Sequence, residues 1–430
     1  MIDTMQLFGS SGIRRKADGN FFELVLKVAT AIGIKYNRVV VGCDTRTSSD
    51  AFKHLIMAGL MASGAKVFDA GLLPTPTLAL VASKFDAGMM VTASHNPPEY
   101  NGLKVINPDG SAFGPKQQLE IENLVTDLPT VMVSWDKIHS SEVYRGAIEQ
   151  HINQIQRQFP GKFRIKVVLD CVCGAASVIT PYLLRNMGCE VLALNSDVSG
   201  FFPHPVEPLP ENLGDLMNTV KGSSADLGLA HDGDADRLMA VDNNGDFING
   251  DKLLNILAAR VGAKKVVTTI DASNAIDDAG FDVVRTKVGD SFVSEELKNG
   301  GDFGGEPSGA WIFPNNSLCP DGIYAAACLV DIACQQKLSE LVASIPYYAN
   351  LRSSIVGSNI DINKLETILV STFQPISIDY VDGIKLNIDG GWILVRPSGT
   401  EPKIRLTVEC KDQSKVKDIH SRASKIIEGE

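Results

Sequence analysis

Short apolar runs rich in β-branched residues alternate with amphipathic stretches over the first three quarters of the chain. An amphipathic stretch at 21–34 precedes the run RVVVGCD, and another at 49–63 precedes KVFDAG and GMMVTAS. The same alternation starts again at RIKVVLD and a third time at KKVVTTIDAS. Apolar strands that alternate with helices indicate sheets with helices on both faces. The sequence therefore predicts three consecutive α/β domains with mixed, mostly parallel sheets.

The pattern changes after about Tyr348. From residue 376 onward, runs such as GIKLNI and GWILVRP are joined by Asp-Gly and Gly-Gly turns, which are typical of β-hairpins. An amphipathic helix is expected at about 411–428. This pattern predicts a C-terminal α+β domain. We expect the domains to span residues 1–141, 142–243, 244–347 and 348–430.

Composition restricts the possible partners. The 430 residues carry a formal net charge of −11 and contain no dense Lys/Arg run, whereas a general nucleic-acid surface must be basic. The first residues lack an apolar signal segment, and no later run is long and apolar enough to cross a bilayer. We therefore expect a cytoplasmic protein that binds neither nucleic acid nor membrane. An anionic ligand would have to meet positive side chains gathered from distant parts of the chain.

The serine loop, VTASHNPPEYNGLKV at 91–105, is the first of four segments with candidate chemistry. It follows an apparent strand, and ligands bind in the crevice at the carboxyl ends of the strands of open α/β sheets. Ser94 is thus placed to react, while His95 could handle protons and Lys104 could hold phosphate charge. The Ser-His adjacency alone favours an ordinary surface loop. On an extended segment the two neighbouring side chains should diverge.

The acidic loop, HDGDADR at 231–237, has Asp232, Asp234 and Asp236 at alternating positions directly after an apolar run. An extended backbone would project all three carboxylates to one side, where a hard divalent cation would relieve their repulsion. A calcium EF-hand needs Gly at its sixth position and Glu at its twelfth, but Arg237 and Asn243 stand there. An acidic surface turn is less favoured because the segment follows a buried strand. We predict a metal site, with Mg²⁺ as its ion.

The sugar loop, GGEPSGAW at 304–311, is a weaker signal. Its glycines let the backbone approach a ligand, and Glu306 and Ser308 can form hydrogen bonds with sugar hydroxyls. A plain Gly-rich turn between strands explains the segment nearly as well.

The phosphate loop, RPSGTEPKIR at 396–405, combines a guanidinium group with two hydroxyls and a Gly-containing turn. Such groups form an anion cradle, although an ordinary hairpin turn is equally compatible with this segment alone. The cradle would consist of Arg396, Ser398, Gly399 and Thr400. The chain has neither a Walker loop nor a GxGxxG fingerprint after a strand, so ATP and NAD find no support as cofactors.

Taken in order, the four loops resemble the signatures of the α-D-phosphohexomutases, which include phosphoglucomutase, phosphomannomutase and phosphoglucosamine mutase. The resemblance extends from FGSSGIR at 8–14 to the phosphate loop. It implies a heart-shaped molecule of four domains around a central cleft, with one loop from each domain. It also implies interconversion of a hexose 6-phosphate and 1-phosphate through a phosphoserine, with the hexose 1,6-bisphosphate as intermediate or activator.

The resemblance implies roles for single residues of the first two loops. Ser94 would carry the phosphoryl group and would hold one Mg²⁺ together with the three aspartates of the acidic loop. Arg14 and Arg237 would assist around the phosphoserine, and His95 and Lys104 are the acid–base candidates. The four residues of the predicted cradle would hold the phosphate that does not react.

The other implications concern the sugar. Glu306 and Ser308 would bind its hydroxyls. The run GEPSGAW is closer to archaeal phosphoglucosamine mutase-like proteins than to bacterial relatives, which favours glucosamine phosphate over the alternatives, mannose or glucose phosphate. A silent sugar-phosphate sensor and a phosphomonoesterase are the competing hypotheses from other classes. The chain is expected to be a monomer or a homodimer.

Three positions depart from the family pattern. Ala235 stands in the acidic loop where glycine is commoner, which should be harmless unless that residue needs a positive φ. Arg15 stands where the family usually has glycine and adds a positive charge near the site. Ala310 replaces a histidine that is sometimes given a proton-handling role. This last change puts more of the proton transfer on His95 and Lys104.

Overall fold

The computed structural model describes residues 7–9, 11–127, 133–356, 362–397 and 403–429. Within these residues the chain forms four sheets in succession, each with its own helices. The first three sheets contain parallel and antiparallel pairs, and the fourth is antiparallel throughout. The predicted fold class, three α/β domains followed by an α+β domain, is confirmed.

The first sheet consists of β1 (Ile13–Lys16), β2 (Arg38–Cys43), β3 (Lys66–Leu72), β4 (Ala87–Val91), β5 (Tyr100–Ile106) and β6 (Glu142–Val143). Its helices are α1 (Gly19–Lys35), α2 (Ser49–Ala62), α3 (Thr75–Ala82) and α4 (Pro115–Thr126). The strand order is β1-β5-β4-β2-β3-β6. The apolar strand β2 runs parallel to both of its neighbours, β3 and β4, so its run of valines lies in the centre of the sheet. The carboxyl ends of β2 and β4 therefore open on the same edge.

The second sheet is built by β7 (Lys166–Asp170), β8 (Glu190–Leu194), β9 (Leu227–His231), β10 (Leu238–Val241) and β11 (Phe247–Ile248). The accompanying helices are α5 (Ala147–Gln158), α6 (Thr180–Asn186) and α7 (Gly214–Ser223). The order is β11-β10-β9-β7-β8, with β7 parallel to β8 and β9. β9 and β10 form an antiparallel hairpin whose connection is the acidic loop. A central strand thus leads directly into the predicted metal ligands.

The third sheet contains β12 (Lys265–Thr269), β13 (Asp282–Thr286), β14 (Phe303–Gly305) and β15 (Trp311–Ile312). Its helices are α8 (Gly250–Arg260), α9 (Ala275–Asp278), α10 (Asp290–Leu297), α11 (Gly322–Ala333) and α12 (Leu338–Ser344). The order is β13-β12-β14-β15, and the sugar loop connects β14 to β15. α11 is apolar on nearly all sides and almost entirely buried, which is typical of a helix inside a large core.

The fourth sheet comprises β16 (Ala349–Val356), β17 (Ser377–Asp379), β18 (Ile384–Ile388), β19 (Gly391–Pro397) and β20 (Lys403–Cys410). It packs with α13 (Ile362–Phe373) and α14 (Gln413–Glu428). The order is β16-β20-β19-β18-β17. The predicted turns at the Asp-Gly and Gly-Gly pairs are present, and Gly383 and Gly390 have φ values of +86° and +74°. These positive values explain why glycine stands there.

Contacts between the domains are both apolar and polar. One apolar cluster extends from α5 and the second sheet into the third sheet and α11. The imidazole of His151, on α5, is buried and connects α3 to the start of α11. Its Nδ1 lies 2.9 Å from the hydroxyl of Thr77, and its Nε2 lies 3.0 Å from the carboxylate of Asp321. No helix among the described residues is both long and apolar enough to span a membrane.

Candidate active site

Ser94 lies in a turn that follows β4 and has an unusual backbone conformation. Its φ is +50°, which costs free energy in a residue other than glycine and is found mostly at functional sites. Its amide donates a 2.9 Å hydrogen bond to the hydroxyl of Thr92. Its own hydroxyl is buried and donates a 2.6 Å hydrogen bond to Asp232. The serine loop and the acidic loop therefore meet directly.

The expectation that the side chains of Ser94 and His95 diverge is wrong. Because Ser94 is left-handed and not extended, its Oγ lies 3.3 Å from Nδ1 of His95. Burial lowers the pKa of His95, and the positive charges of Arg237 and Arg14 lower it further. The imidazole is therefore neutral at neutral pH.

The three aspartates of the acidic loop converge, but not for the reason that the sequence suggested. The loop turns tightly after β9, and Ala235 has a φ of +58°. This turn, and not an extended backbone, brings one carboxylate oxygen of each aspartate within 4.8 Å of the other two. All three carboxylates are buried. Ala235 has the positive φ that favours glycine, so its methyl group adds strain to the loop.

Lys104, on β5, is the cation closest to these carboxylates. Its Nζ lies 2.6 Å from Asp234 and 2.5 Å from Asp236. Burial alone would lower the pKa of Lys104, but these two carboxylates raise it above its ordinary value, so the lysine stays charged. Burial raises the pKa of Asp232, and the charges of Asp236 and Asp234 raise it further. An additional cation would offset this mutual repulsion of the carboxylates.

Two carboxylate oxygens of the cluster, Oδ1 of Asp234 and Oδ1 of Asp236, are buried without a hydrogen-bond partner among the described residues. An unpaired buried anionic oxygen is costly. A hard divalent cation prefers such oxygens and would leave coordination positions for a phosphate oxygen or water. The donor set therefore fits Mg²⁺.

Two arginines surround the serine and acidic loops. Arg14, on β1, donates a 3.1 Å hydrogen bond to the side chain of Asn96, and its Nε is buried without a partner among the described residues. Arg237 donates its backbone N–H to Asp232 at 3.3 Å, and its guanidinium lies 3.5 Å from Glu207. Arg14 thus keeps a buried donor for an anionic ligand beside the serine.

Main-chain contacts join the sugar loop to the acidic loop. Leu238 donates its N–H to the carbonyl of Gly309 at 3.0 Å, and Arg237 pairs with Ala310 in an antiparallel bridge. Ser308 is exposed on the same turn. The sugar loop is therefore fixed next to the carboxylate cluster.

Glu306 is the buried acid of the sugar loop. Its Oε1 accepts a 2.8 Å hydrogen bond from the amide of Gly289. Burial, reinforced by the negative charge of Asp290, raises the pKa of Glu306 to about 8. The side chain is therefore mostly protonated at neutral pH and can both donate to and accept from a hydroxyl group.

Arg396 lies at the end of β19, and its guanidinium donates a 2.9 Å hydrogen bond to Asp382. Asp382 also accepts the amide of Val288 at 3.1 Å, so the phosphate loop is tied to the turn that holds Glu306. Arg405 stands directly opposite Arg396 on β20. Like charges at opposite positions of a sheet repel, and a bound anion would relieve that repulsion. The remaining predicted residues of this loop lie outside the described residues: Ser398, Gly399 and Thr400.

Comparison with known families gives a match for each of the four domains. Four domain families match the chain in order: phosphoglucomutase/phosphomannomutase alpha/beta/alpha domain I at residues 5–131, alpha/beta/alpha domain II at 142–245, alpha/beta/alpha domain III at 249–348, and the C-terminal domain at 366–426. The chain belongs to the phosphoglucomutase/phosphomannomutase family. Each of the four loops lies within a different one of these matched regions.

Similar proteins extend this family assignment over the full chain. A protein of Methanocella arvoryzae named "Probable phosphoglucosamine mutase" is 47% identical over 434 residues, which covers 98% of each chain. A protein of the same name from Methanosarcina barkeri is 46% identical over 431 residues, covering 98% of this chain and 99% of the relative. The crystal structure of a phosphoglucomutase/phosphomannomutase family protein from Burkholderia thailandensis aligns with a TM-score of 0.87 at 27% identity, covering 100% of this chain and 98% of that one.

Sequence reasoning overlooked three residues that contact, or lie next to, the predicted site residues. Thr75, at the start of α3, donates a short hydrogen bond to Asp234, and no motif around it signals this contact. Asp290 accepts a 2.9 Å hydrogen bond from Ser11 and adds negative charge next to Glu306. Arg405 could have been predicted, because it belongs to the segment RPSGTEPKIR. The hairpin register places it opposite Arg396.

Proposed function

We propose that this protein is a phosphoglucosamine mutase that interconverts glucosamine 6-phosphate and glucosamine 1-phosphate through a phosphorylated Ser94. The observation that carries the proposal is the 2.6 Å hydrogen bond between the Ser94 hydroxyl and Asp232, inside a buried cluster of three carboxylates. The names of the full-length relatives favour the amino sugar over the mannose and glucose phosphates. Phosphomannomutase or phosphoglucomutase activity is the alternative within the same family.

The first step is a phosphoryl transfer from phosphorylated Ser94 to the free hydroxyl of the sugar monophosphate. The bond between phosphorus and the serine oxygen breaks as a bond to the sugar oxygen forms, and the hydroxyl proton ends on the serine oxygen. His95 is proposed to relay that proton, because it is neutral and its Nδ1 lies 3.3 Å from Ser94 Oγ. The product of this step is the hexose 1,6-bisphosphate. After it reorients in the site, the reverse transfer from its other phosphate regenerates phosphorylated Ser94.

Charge neutralisation is the second requirement of this chemistry. Asp232, Asp234 and Asp236 are proposed to hold one Mg²⁺ together with an oxygen on Ser94, and the ion would neutralise the phosphoryl group during transfer. Lys104 stays charged beside the same carboxylates and is the second acid–base candidate. The guanidinium groups of Arg14 and Arg237 are proposed to bind the phosphoryl oxygens, as positive groups close to the serine loop.

The other two loops are proposed to hold the rest of the substrate. Glu306 and Ser308 would bind sugar hydroxyls, which is supported by the protonated state of Glu306. The non-reacting phosphate would lie in the cradle of Arg396, Ser398, Gly399 and Thr400. We further propose that the domains span residues 1–141, 142–243, 244–347 and 348–430, and that the protein is a cytoplasmic monomer or homodimer.

The proposal is tested by assaying purified protein, supplied with Mg²⁺ and a hexose 1,6-bisphosphate, on glucosamine, mannose and glucose phosphates in turn. We expect isomer formation, with kcat/KM highest for glucosamine phosphate. A higher kcat/KM for mannose or glucose phosphate would instead indicate a phosphomannomutase or a phosphoglucomutase. Release of inorganic phosphate without isomer formation would indicate a phosphomonoesterase, and binding without turnover would indicate a sensor.

A further inference from the structure

Arg46 is a buried arginine outside the four loops, and its guanidinium is surrounded by backbone carbonyls of the serine loop. It follows β2 and is only 3% exposed. Its two terminal nitrogens donate four hydrogen bonds to that loop, at distances of 2.6 to 3.0 Å. The acceptors are the carbonyls of Ser94, Asn96, Pro97 and Tyr100. One side chain thus fixes the path of the whole turn after the reactive serine.

The guanidinium is itself held in place from two sides. Asp44 accepts its Nε at 3.2 Å and its backbone amide at 3.0 Å. The ring of Phe202, from the second domain, lies 5.1 Å from the guanidinium carbon, at a distance typical of a cation–π contact. Gly200, two residues earlier, packs so closely that an added Cβ would lie 2.3 Å from the carbonyl of Thr45. Arg46 is therefore rigid before any ligand binds.

Both ends of the Ser94 residue are connected to Asp44. At its carbonyl end, Ser94 accepts a 2.8 Å hydrogen bond from Arg46, which is paired with Asp44. At its amide end, Ser94 donates to the hydroxyl of Thr92, and that hydroxyl donates to Asp44 at 2.7 Å. A left-handed conformation in a residue other than glycine persists only where its surroundings enforce it. These two paths supply that enforcement.

The carbonyl of Ser94 also sets the distance between the serine loop and the acidic loop. An added Cβ at Gly233 would lie 2.6 Å from this carbonyl oxygen, so the two backbones are already at contact distance. The neighbouring residue, Asp232, accepts the Ser94 hydroxyl. A shift of the carbonyl would therefore change the position of the hydroxyl relative to the carboxylate cluster.

We propose that Arg46 is the positioning residue of the reactive serine: it holds the Ser94 turn by four carbonyl contacts and so fixes Ser94 Oγ against Asp232. This inference rests on the proposed phosphoserine mutase function. Arginine is required because its planar fork presents five donors at fixed angles, whereas the three donors of a lysine ammonium radiate from one atom. Among the described residues, Arg46 has no hydrogen bond or ion pair with the carboxylates of the acidic loop or with Arg396, so its loss should disturb transfer more than binding of the sugar phosphate.

The test compares wild type with Arg46→Lys and Arg46→Ala, and with Arg260→Lys as a control at a partly exposed arginine paired with Asp331. We expect Arg46→Lys to lower kcat by about 100-fold, since misplacement of reacting groups by about 1 Å has effects of that order. KM for the sugar phosphate should stay near wild type. Added guanidinium ion should restore part of the kcat of Arg46→Ala, and Arg260→Lys should match wild type.

Hydrogen exchange provides a readout that does not depend on activity. We expect the amides of Ser94, His95 and Asn96 to exchange faster in Arg46→Lys than in wild type, while those of β2 stay protected. A wild-type kcat in Arg46→Lys, or unchanged exchange at these three amides, would overturn the role of Arg46. An inactive wild-type protein with faster exchange in the variant would instead contradict the mutase function and leave the positioning role intact. If Arg46→Ala does not fold, Arg46→Lys decides.

Discussion

The hydroxyl of Ser94 donates a 2.6 Å hydrogen bond to Asp232, which is 138 positions further along the chain. A hydrogen bond to a carboxylate orients a hydroxyl strongly, and burial of both groups increases this effect. The contact also brings a neutral histidine, three carboxylates and a charged lysine into one network. The first two domains are thereby joined at the serine oxygen that is proposed to carry the phosphoryl group.

Ser94→Ala should reduce mutase turnover to background, because the proposed covalent acceptor is lost. Intact-mass measurement after incubation with hexose bisphosphate should detect one phosphoryl group on wild type and none on the variant. Ser83→Ala, at an exposed serine after α3, is the matched control and should retain activity. Near wild-type turnover by Ser94→Ala would refute the phosphoserine step.

Lys104→Met should bind divalent metal more tightly than wild type while transferring phosphoryl groups more slowly. Removing the ammonium leaves Asp234 and Asp236 uncompensated, so a gain of about 1.4 kcal/mol in metal binding, or about tenfold in affinity, is expected. Titration with Mn²⁺ measures the affinity, and Lys27→Met, at an exposed helix position, is the control.

In wild type and in Lys104→Met, EDTA should abolish turnover and added Mg²⁺ should restore it. Weaker metal binding by Lys104→Met would show that the lysine supports the metal site and does not compete with the ion. Turnover that is indifferent to chelation would remove the proposed role of the three aspartates.

Glu306 should make the folded protein less stable as the pH rises to about 8. Its pKa is raised from 4.5 in the unfolded reference to about 8 in the folded protein, so the folded state binds the extra proton between these values. The free energy of unfolding should therefore decrease as the pH increases across that window. Urea denaturation at several pH values measures this slope.

Glu306→Gln removes the titrating group, and the slope should become shallower. Glu149→Gln, at an exposed position on α5, should leave the slope as in wild type. An equal slope in wild type and Glu306→Gln would mean that Glu306 ionises at its ordinary pKa in the folded protein.

Arg396→Ala should weaken binding of the sugar phosphate more than it slows the transfer. A hydrogen bond to a charged group contributes about 1.5–3 kcal/mol, so KM should rise by about tenfold or more. Arg422→Ala, at an exposed arginine of α14, should leave KM unchanged. Steady-state kinetics with glucosamine phosphate measure both parameters. An unchanged KM in Arg396→Ala would show that the non-reacting phosphate does not bind at Arg396.

His151→Asn should lower the free energy of unfolding by about 1–3 kcal/mol, because Thr77 and Asp321 would lose buried hydrogen-bond partners. Thermal unfolding measures the effect, and His54→Asn, at an exposed histidine of α2, is the control. Equal stability of the two variants would show that the bridge between the helices does not stabilise the protein.

The strands and helices could be predicted where local pattern and burial agree. The run RVVVGCD forms the central strand β2, and the turns at Gly383 and Gly390 occur where the sequence indicated them. Predictions that assumed an ideal extended backbone were less accurate. Ser94 and Ala235 are both left-handed, so His95 contacts the serine hydroxyl and the aspartates converge through a turn. In Ser94 the left-handed backbone is held by Arg46 and Asp44, which lie about 50 positions earlier in the chain, so local sequence does not reveal it.

The order of the domains, the four loops and the kinds of side chain that each loop carries can be predicted from local periodicity and residue type. Which side chains touch, and which are charged, follows from the folded arrangement. Lys104 pairs with two of the aspartates, Arg46 holds the serine turn, and Glu306 becomes a protonated acid. The physical reason is that hydrogen bonds and pKa shifts depend on burial and on distances between residues far apart in the chain.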